Sequence, residues 1–368
     1  MIQAAQINIR IANPDLLIIG AGIFGLWAAR HAIRAGRSVL VLEKRSVGAG
    51  ASGGFVGALM PHHTERWNAK KQMQFEALAE LSDVIGELEA DTGMTCGYRR
   101  CGRLVPLLHE QTREIVSRRI EGAREFWGGQ FTMELVEPGD LARVSRWLDP
   151  AAAPHGAQWD DLSARVNPRR YVEALACHVR AHGEIREGVE VVRLEPENRS
   201  VVLADGRRLS AGEICVAAGF EAYPLLQPFM DAMNDGKVIG RGVKGQAVLL
   251  SHQHDDSEPI LYESGAYVVP HEGNFVAVGS TSHDHDGGAP DAFDPGDMGF
   301  YHKALTLAPC LASVQITGRW ANVRPRNMLK GTGSEPYFGA VPGHDGLSAR
   351  IGGFKIGVGV GGSVKFCS

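Results

Sequence analysis

Gly20, Gly22 and Gly25 stand in a G-x-G-x-x-G pattern, and Glu43 closes the apolar run that follows. Those residue types at that spacing suit one task, the holding of a dinucleotide. The first glycine permits a tight turn, the second lets a pyrophosphate approach the backbone, and the third lets helix and strand pack closely. Ile23 and Phe24 open a helix whose free N–H groups and positive dipole end would face the phosphates. Glu43 can accept from both hydroxyls of a ribose and would repel a 2′-phosphate, and Lys44 follows it directly. The pattern alone says little in a chain with 46 glycines among 368 residues, so its context decides.

The elements that must position these residues surround them. Leu16-Leu17-Ile18-Ile19 is a short continuous apolar run, the mark of a buried parallel strand. A helix carrying Leu26, Trp27, Ala29 and Ile33 follows and ends near Gly36. Val39-Leu40-Val41-Leu42 then completes a βαβ unit. A second small-residue cluster, Gly48 to Gly57 with Ala51 and Ser52 inside it, lets the chain lie along an extended dinucleotide and favours FAD over NAD. Val216-Ala217-Ala218-Gly219 is an apolar strand ending in small residues, where backbone can face the cofactor. Helices are expected over 67–89, 109–127 and 171–182, the last with Asn167 as N-cap and Pro168 in its first turn. Strands are expected at 189–194, around the turn Asp205-Gly206, and in alternating runs between Gly245 and Gly279.

Composition narrows the class. The net charge of −4 gives no footprint for nucleic acid. Six cysteines lack metal-finger spacing, and most sit in apolar company as packed thiols. The apolar stretch from Leu16 is broken by Arg30 before membrane-spanning length, and no signal-peptide pattern opens the chain. A cytoplasmic protein with no membrane partner is expected, with residues 1–14 as a leader. His252, His254, His283 and His285 fall in turn-rich stretches and read as solvated loops, so no metal is expected. His62 and His63 follow the second glycine cluster. They read as a polar loop end, with a place on the pocket wall as the alternative.

Taken in order, these motifs resemble the D-amino-acid-oxidase superfamily, in its glycine-oxidase and sarcosine-oxidase-like branch, over nearly the whole chain from Asp15. The resemblance extends to a strand like Val189-Glu190-Val191 that meets the adenine, a late Arg324-Pro325, and the closing Gly353-Phe354-Lys355-Ile356-Gly357. It implies an α/β fold: a discontinuous Rossmann-type FAD-binding domain from residues 15–90, 155–225 and 320–368. A mainly antiparallel β substrate-binding domain would come from residues 91–154 and 226–319.

FAD would be held non-covalently, since the cysteine motif of covalent relatives has no counterpart. The resemblance further implies that Arg324 clamps a substrate carboxylate and that Tyr267 lies over the substrate. For Tyr267 a packed core tyrosine is the competing reading. Lys355 stands where many relatives carry an arginine beside the flavin, and it lacks the planar fork a second clamp needs. Arg326, two residues beyond Arg324, points the same way if the segment is extended.

The expected function is oxidation of the C–N bond of a small amine, amino acid or N-alkyl amino acid to an imine, with oxygen or a carrier as acceptor. Alternatives are an amine dehydrogenase, an oxidase like the tRNA-modification enzyme, or a flavin-binding subunit without turnover, with a homo-oligomer or partner subunit open. Relatives continue into a C-terminal helix facing the flavin, whereas this sequence stops at Val364-Lys365-Phe366-Cys367-Ser368, so a truncated or a differently closed chain is expected.

Overall fold

The computed structural model describes residues 11–332 and 335–362, so most of the expected leader and the closing segment 364–368 lie outside the described residues. Leu16–Ile19 pairs in parallel with Val39–Glu43 on one side and Glu213–Val216 on the other. Outward from these come Glu184–Glu187, Leu347–Ile351 and an antiparallel edge strand, Tyr337–Ala340. The strands alternate faces with period two. Leu16, Ile18, Val39 and Val41 pack with Trp27, Leu78 and Tyr171 of the helices Ile23–Arg34, Ala69–Thr92 and Pro168–His182. Leu17, Ile19, Leu40 and Leu42 pack on the opposite face against Val191, Val201 and Leu226. Burial on both faces is why these strands are apolar throughout.

The helix ends follow their local chemistry. Asn68 and Asn167 each cap a helix by accepting a backbone N–H, from Lys71 and Arg170. Gly93 takes the left-handed conformation that closes the first of these helices. The polar helix lies at Thr112–Phe126 and buries Val116 and Ala123.

The larger sheet, nine-stranded among the described residues, is antiparallel apart from the parallel contact between Ile260–Glu263 and Arg103–Pro106. Its longest pairing joins Gly240–Ser251 to Ile316–Asn327. That places residues 320–327, and the strand Ala157–Asp160, in the larger sheet, whereas the expected division assigned both to the cofactor unit. The reason is hydrogen bonding: each of these segments satisfies its backbone on antiparallel neighbours rather than on the parallel sheet. One sheet face packs Val248, Val268, Val278 and Leu250 against Phe300 and Leu307. The other turns Val269, Ala277, Tyr267 and Trp320 toward Phe55 and Val56 of the second glycine cluster.

Cys96 and Cys215 are buried and Cys310 is exposed, so not every thiol is packed. No helix among the described residues is long and apolar enough to cross a membrane.

Candidate functional site

A cavity of about 480 Å³ opens at the C-terminal ends of the central parallel strands, where an open α/β sheet binds ligands. Gly20, with φ of 106°, makes the turn there, and a Cβ on it would lie 2.6 Å from the Ala217 carbonyl oxygen. Gly25 does not line the cavity. It lies beneath, where a Cβ would come within 1.9 Å of the Gly20 carbonyl oxygen. Gly22 caps the helix without a side-chain bond, and the Ile23 N–H donates to Ser52 Oγ at 3.0 Å. The second glycine cluster is thereby tied to the helix N-terminus.

Glu43 is aimed by two backbone groups: Oε2 accepts from Ala21 and Oε1 from Arg45, both at 2.9 Å. Each oxygen keeps capacity for a ribose hydroxyl. Lys44 bridges to Glu190 at 3.2 Å and Glu221 at 3.4 Å across the cavity rim. Phe24, Ala51, Val191, Ala218, Gly219, Gly353 and Gly357 complete the expected set on this wall. A cradle of close backbone, an uncapped helix start and an oriented carboxylate fit a dinucleotide.

Gly57, Lys355 and Ile356 line a second cavity of about 350 Å³, which shares Ala51, Phe354 and Val358 with the first. Its floor is a row across the larger sheet. Strand register aligns Tyr262 with Tyr267, Tyr267 with Gly279, Gly279 with Ala247, and Ala247 with Trp320. Small residues between Tyr267 and Trp320 let Val56 sit down on the sheet, and a Cβ on Gly279 would meet the Val56 side chain at 2.6 Å.

Arg324 comes from the same face as Trp320 and is 9% exposed. Its Nη2 donates to the carbonyls of Lys244 and Thr281, and Nη1 to Ser280 Oγ at 3.3 Å. Its Nε is buried without a partner. Burial, with Arg326 nearby, lowers its pKa to about 10. Lys355 is exposed in the open cavity, yet burial, Arg324 and Arg326 bring it down to about 8. Both remain cationic at neutral pH. Burial pushes the Tyr267 phenol well above its usual range, so it stays neutral and able to donate.

Phe354 joins the cations. Its ring centroid lies 5.3 Å from the Arg324 guanidinium, 4.2 Å from that of Arg326 and 5.7 Å from Lys355 Nζ. Arg326 thus shares Arg324's side of the strand but lines neither cavity.

His62 and His63 are corrected: they line the second cavity rather than ending a polar loop. Burial lowers both pKa values, that of His63 to about 3, so they are neutral at pH 7. His283 is exposed, and His254 packs 5.2 Å from Trp147. Sequence reasoning missed Arg103, Tyr262 and Trp320. Period-two spacing from Arg324 carries a signal for Trp320, whereas Arg103 and Tyr262 arrive through strand pairings that no local pattern shows.

Residues 15–363 match the family described as FAD dependent oxidoreductase. The chain is 25% identical over 351 residues to the glycine oxidase of Pseudomonas aeruginosa, covering 94% of this chain and 91% of the relative. In structure it is similar to glycine oxidase from Geobacillus kaustophilus, with a TM-score of 0.82, 22% identity, and coverage of 96% of this chain and 92% of the other. Iminodiacetate oxidase from Chelativorans sp. BNC1 gives a TM-score of 0.81 at 24% identity, covering 94% and 92%. At these identities the structural likeness shows the fold.

Proposed function

The chain belongs to the FAD dependent oxidoreductase family, with FAD as its non-covalent cofactor, and from that premise we propose that it oxidises the C–N bond of a small amino acid or N-alkyl amino acid to an imine. The observation that carries this reading is the buried, partly unpartnered Arg324 on a cavity that meets the dinucleotide cavity at Phe354. The unpartnered Nε–H and the charge of Arg324 would replace hydration that a carboxylate loses on entry. Tyr267, on the wall of the same cavity, would donate to the same group.

The cation pair has a second consequence. Among the described residues no Asp or Glu lines the second cavity, so no carboxylate of the wall stabilises a substrate ammonium, while Arg324 and Lys355 disfavour it. The substrate amine is therefore held neutral, the form that can give up a hydride. Apolar neighbours, among them Met60, Trp320 and Ile356, keep water from the reacting carbon. When bound, FAD supplies the hydride acceptor. In net terms the α C–H bond and an N–H bond break, a C=N bond forms, two electrons leave with the hydride, and the nitrogen proton passes to solvent. Water then adds to the imine carbon and the C–N bond breaks, leaving an oxo acid and ammonia or, from an N-alkyl substrate, an amine.

Two measurements test this. Anaerobic mixing with a panel of amino and N-alkyl amino acids should bleach the flavin, and air should restore it with release of hydrogen peroxide if oxygen is the acceptor. Bleaching by 2-hydroxy acids alone would sink the reading. Separately, Glu43→Arg should purify with a flavin-to-protein ratio well below that of the parent, because arginine can only donate where the ribose needs an acceptor. An undiminished ratio would mean that Glu43 does not hold the ribose.

A further inference from the structure

The second cavity carries more positive charge than one carboxylate can answer. Among the described residues its titratable lining consists of Arg103, Arg324, Lys355, His62, His63 and the two tyrosines, without an acid. Arg103 is already neutralised. Asp160, fully buried, meets its Nε at 2.8 Å and its Nη2 at 2.7 Å. The histidines are neutral. That leaves Arg324 and Lys355, and among the described residues neither forms an ion pair. Arg326 stacks 4.2 Å from the Phe354 centroid and adds a third cation, also without an ion pair among the described residues.

The two cavity cations share one aromatic neighbour. Both reach the Phe354 ring, so their separation cannot exceed the sum of 5.3 and 5.7 Å. Lys355 Nζ also lies 5.9 Å from the Tyr267 centroid, over that ring. Arg324 is buried, so its charge is costly unless a ligand answers it, and the exposed Lys355 on the same ring adds like charge at the cavity mouth. One carboxylate on Arg324 would leave Lys355 unanswered.

We propose that the preferred substrate is an amino acid bearing two carboxylates, with Arg324 taking the one next to the reacting carbon and Lys355 the other. The inference rests on the amine-oxidation reading for its chemistry, though the anion pairing itself does not require turnover. A lysine point charge suits the second position, since it can follow carboxylates at somewhat different distances where a rigid fork cannot.

N-(carboxymethyl)glycine and N-ethylglycine form a matched pair, the second replacing one carboxylate by a methyl group. The dicarboxylate should show kcat/KM about tenfold or more above N-ethylglycine, the value of one added charge-assisted contact. Lys355→Met should lower the dicarboxylate's kcat/KM about tenfold more than that of N-ethylglycine. Equal losses would assign Lys355 to the flavin and overturn the proposal, as would a parent enzyme that favours N-ethylglycine.

Binding separates this from the function reading. Glutarate and pentanoate are the carbon analogues of the same pair and cannot be oxidised at a C–N bond. Glutarate should perturb the flavin spectrum at a Kd about tenfold below that of pentanoate, and Lys355→Met should erase the difference. If no amine is oxidised but glutarate still wins through Lys355, the oxidation reading falls and the two-anion site stands. If pentanoate binds as well as glutarate, the two-anion site falls.

Discussion

Arg324→Ala should lower kcat/KM for amino-acid substrates by about tenfold to several hundredfold while the bound FAD spectrum stays nearly unchanged. A carboxylate taken from water beside a buried guanidinium gains charge-assisted hydrogen bonds, and losing such a partner costs about 1.5–3 kcal/mol or more in a dry site. The arginine also serves the sheet, since its Nη2 is held by the carbonyls of Lys244 and Thr281. It lies so close over Gly245 that a Cβ there would meet Nη2 at 2.5 Å. Alanine leaves those carbonyls to water or unpaired, so melting temperature must be measured beside activity.

Arg324→Lys keeps a donor and a charge but not the fork, and should recover only part of the loss. The decisive comparison is between substrates. Amines without a carboxylate should be nearly indifferent to Arg324→Ala. Equal losses with and without a carboxylate would assign Arg324 to the fold or the flavin, and the amino-acid reading would lose its main support.

Gly25→Val should yield protein with little or no bound FAD and a markedly lower melting temperature. The Cβ would lie 1.9 Å from the Gly20 carbonyl oxygen and 3.3 Å from the Ile18 side chain. The first obstacle is backbone, so no rotamer change relieves it. The helix Ile23–Arg34 must shift away from the strand Leu16–Ile19, which takes the turn at Gly20 and Gly22 with it. Overpacking of this kind costs about 1–3 kcal/mol, and more when backbone has to move.

Gly86 supplies the control. It lies within Ala69–Thr92, and a Cβ there meets nothing within 4 Å. Gly86→Ala should therefore be neutral or stabilising by up to about 1 kcal/mol, through helix propensity alone. A Gly25→Val protein that keeps its flavin and melts with the parent would disprove the close-packing role.

The sequence by itself determined the dinucleotide unit, because that unit is local. Strand, turn, helix, strand and Glu43 follow within one short stretch, and the residues that form the turn also touch the ligand. Burial on both strand faces writes itself as unbroken runs such as Leu16-Leu17-Ile18-Ile19, and Asn167-Pro168 announces a helix start by its own chemistry. Arg324, Tyr267 and Lys355 were named through resemblance rather than through any pattern of their own.

Only the tertiary structure decided what those three share. The second cavity draws on residues 54–63, Arg103, Tyr262, Tyr267, Trp320, Arg324, 354–356, Val358 and Gly359, which meet through antiparallel registers and one parallel pairing. Register is fixed by contacts between distant segments, so no local periodicity encodes that Ala247 faces Trp320 or that Ile260–Glu263 lies beside Arg103–Pro106. The same holds for charge. Sequence counts cations and acids, but only folding showed that Asp160 answers Arg103 while, among the described residues, no acid pairs with Arg324 or Lys355, because Coulomb interactions depend on separation in space and on burial.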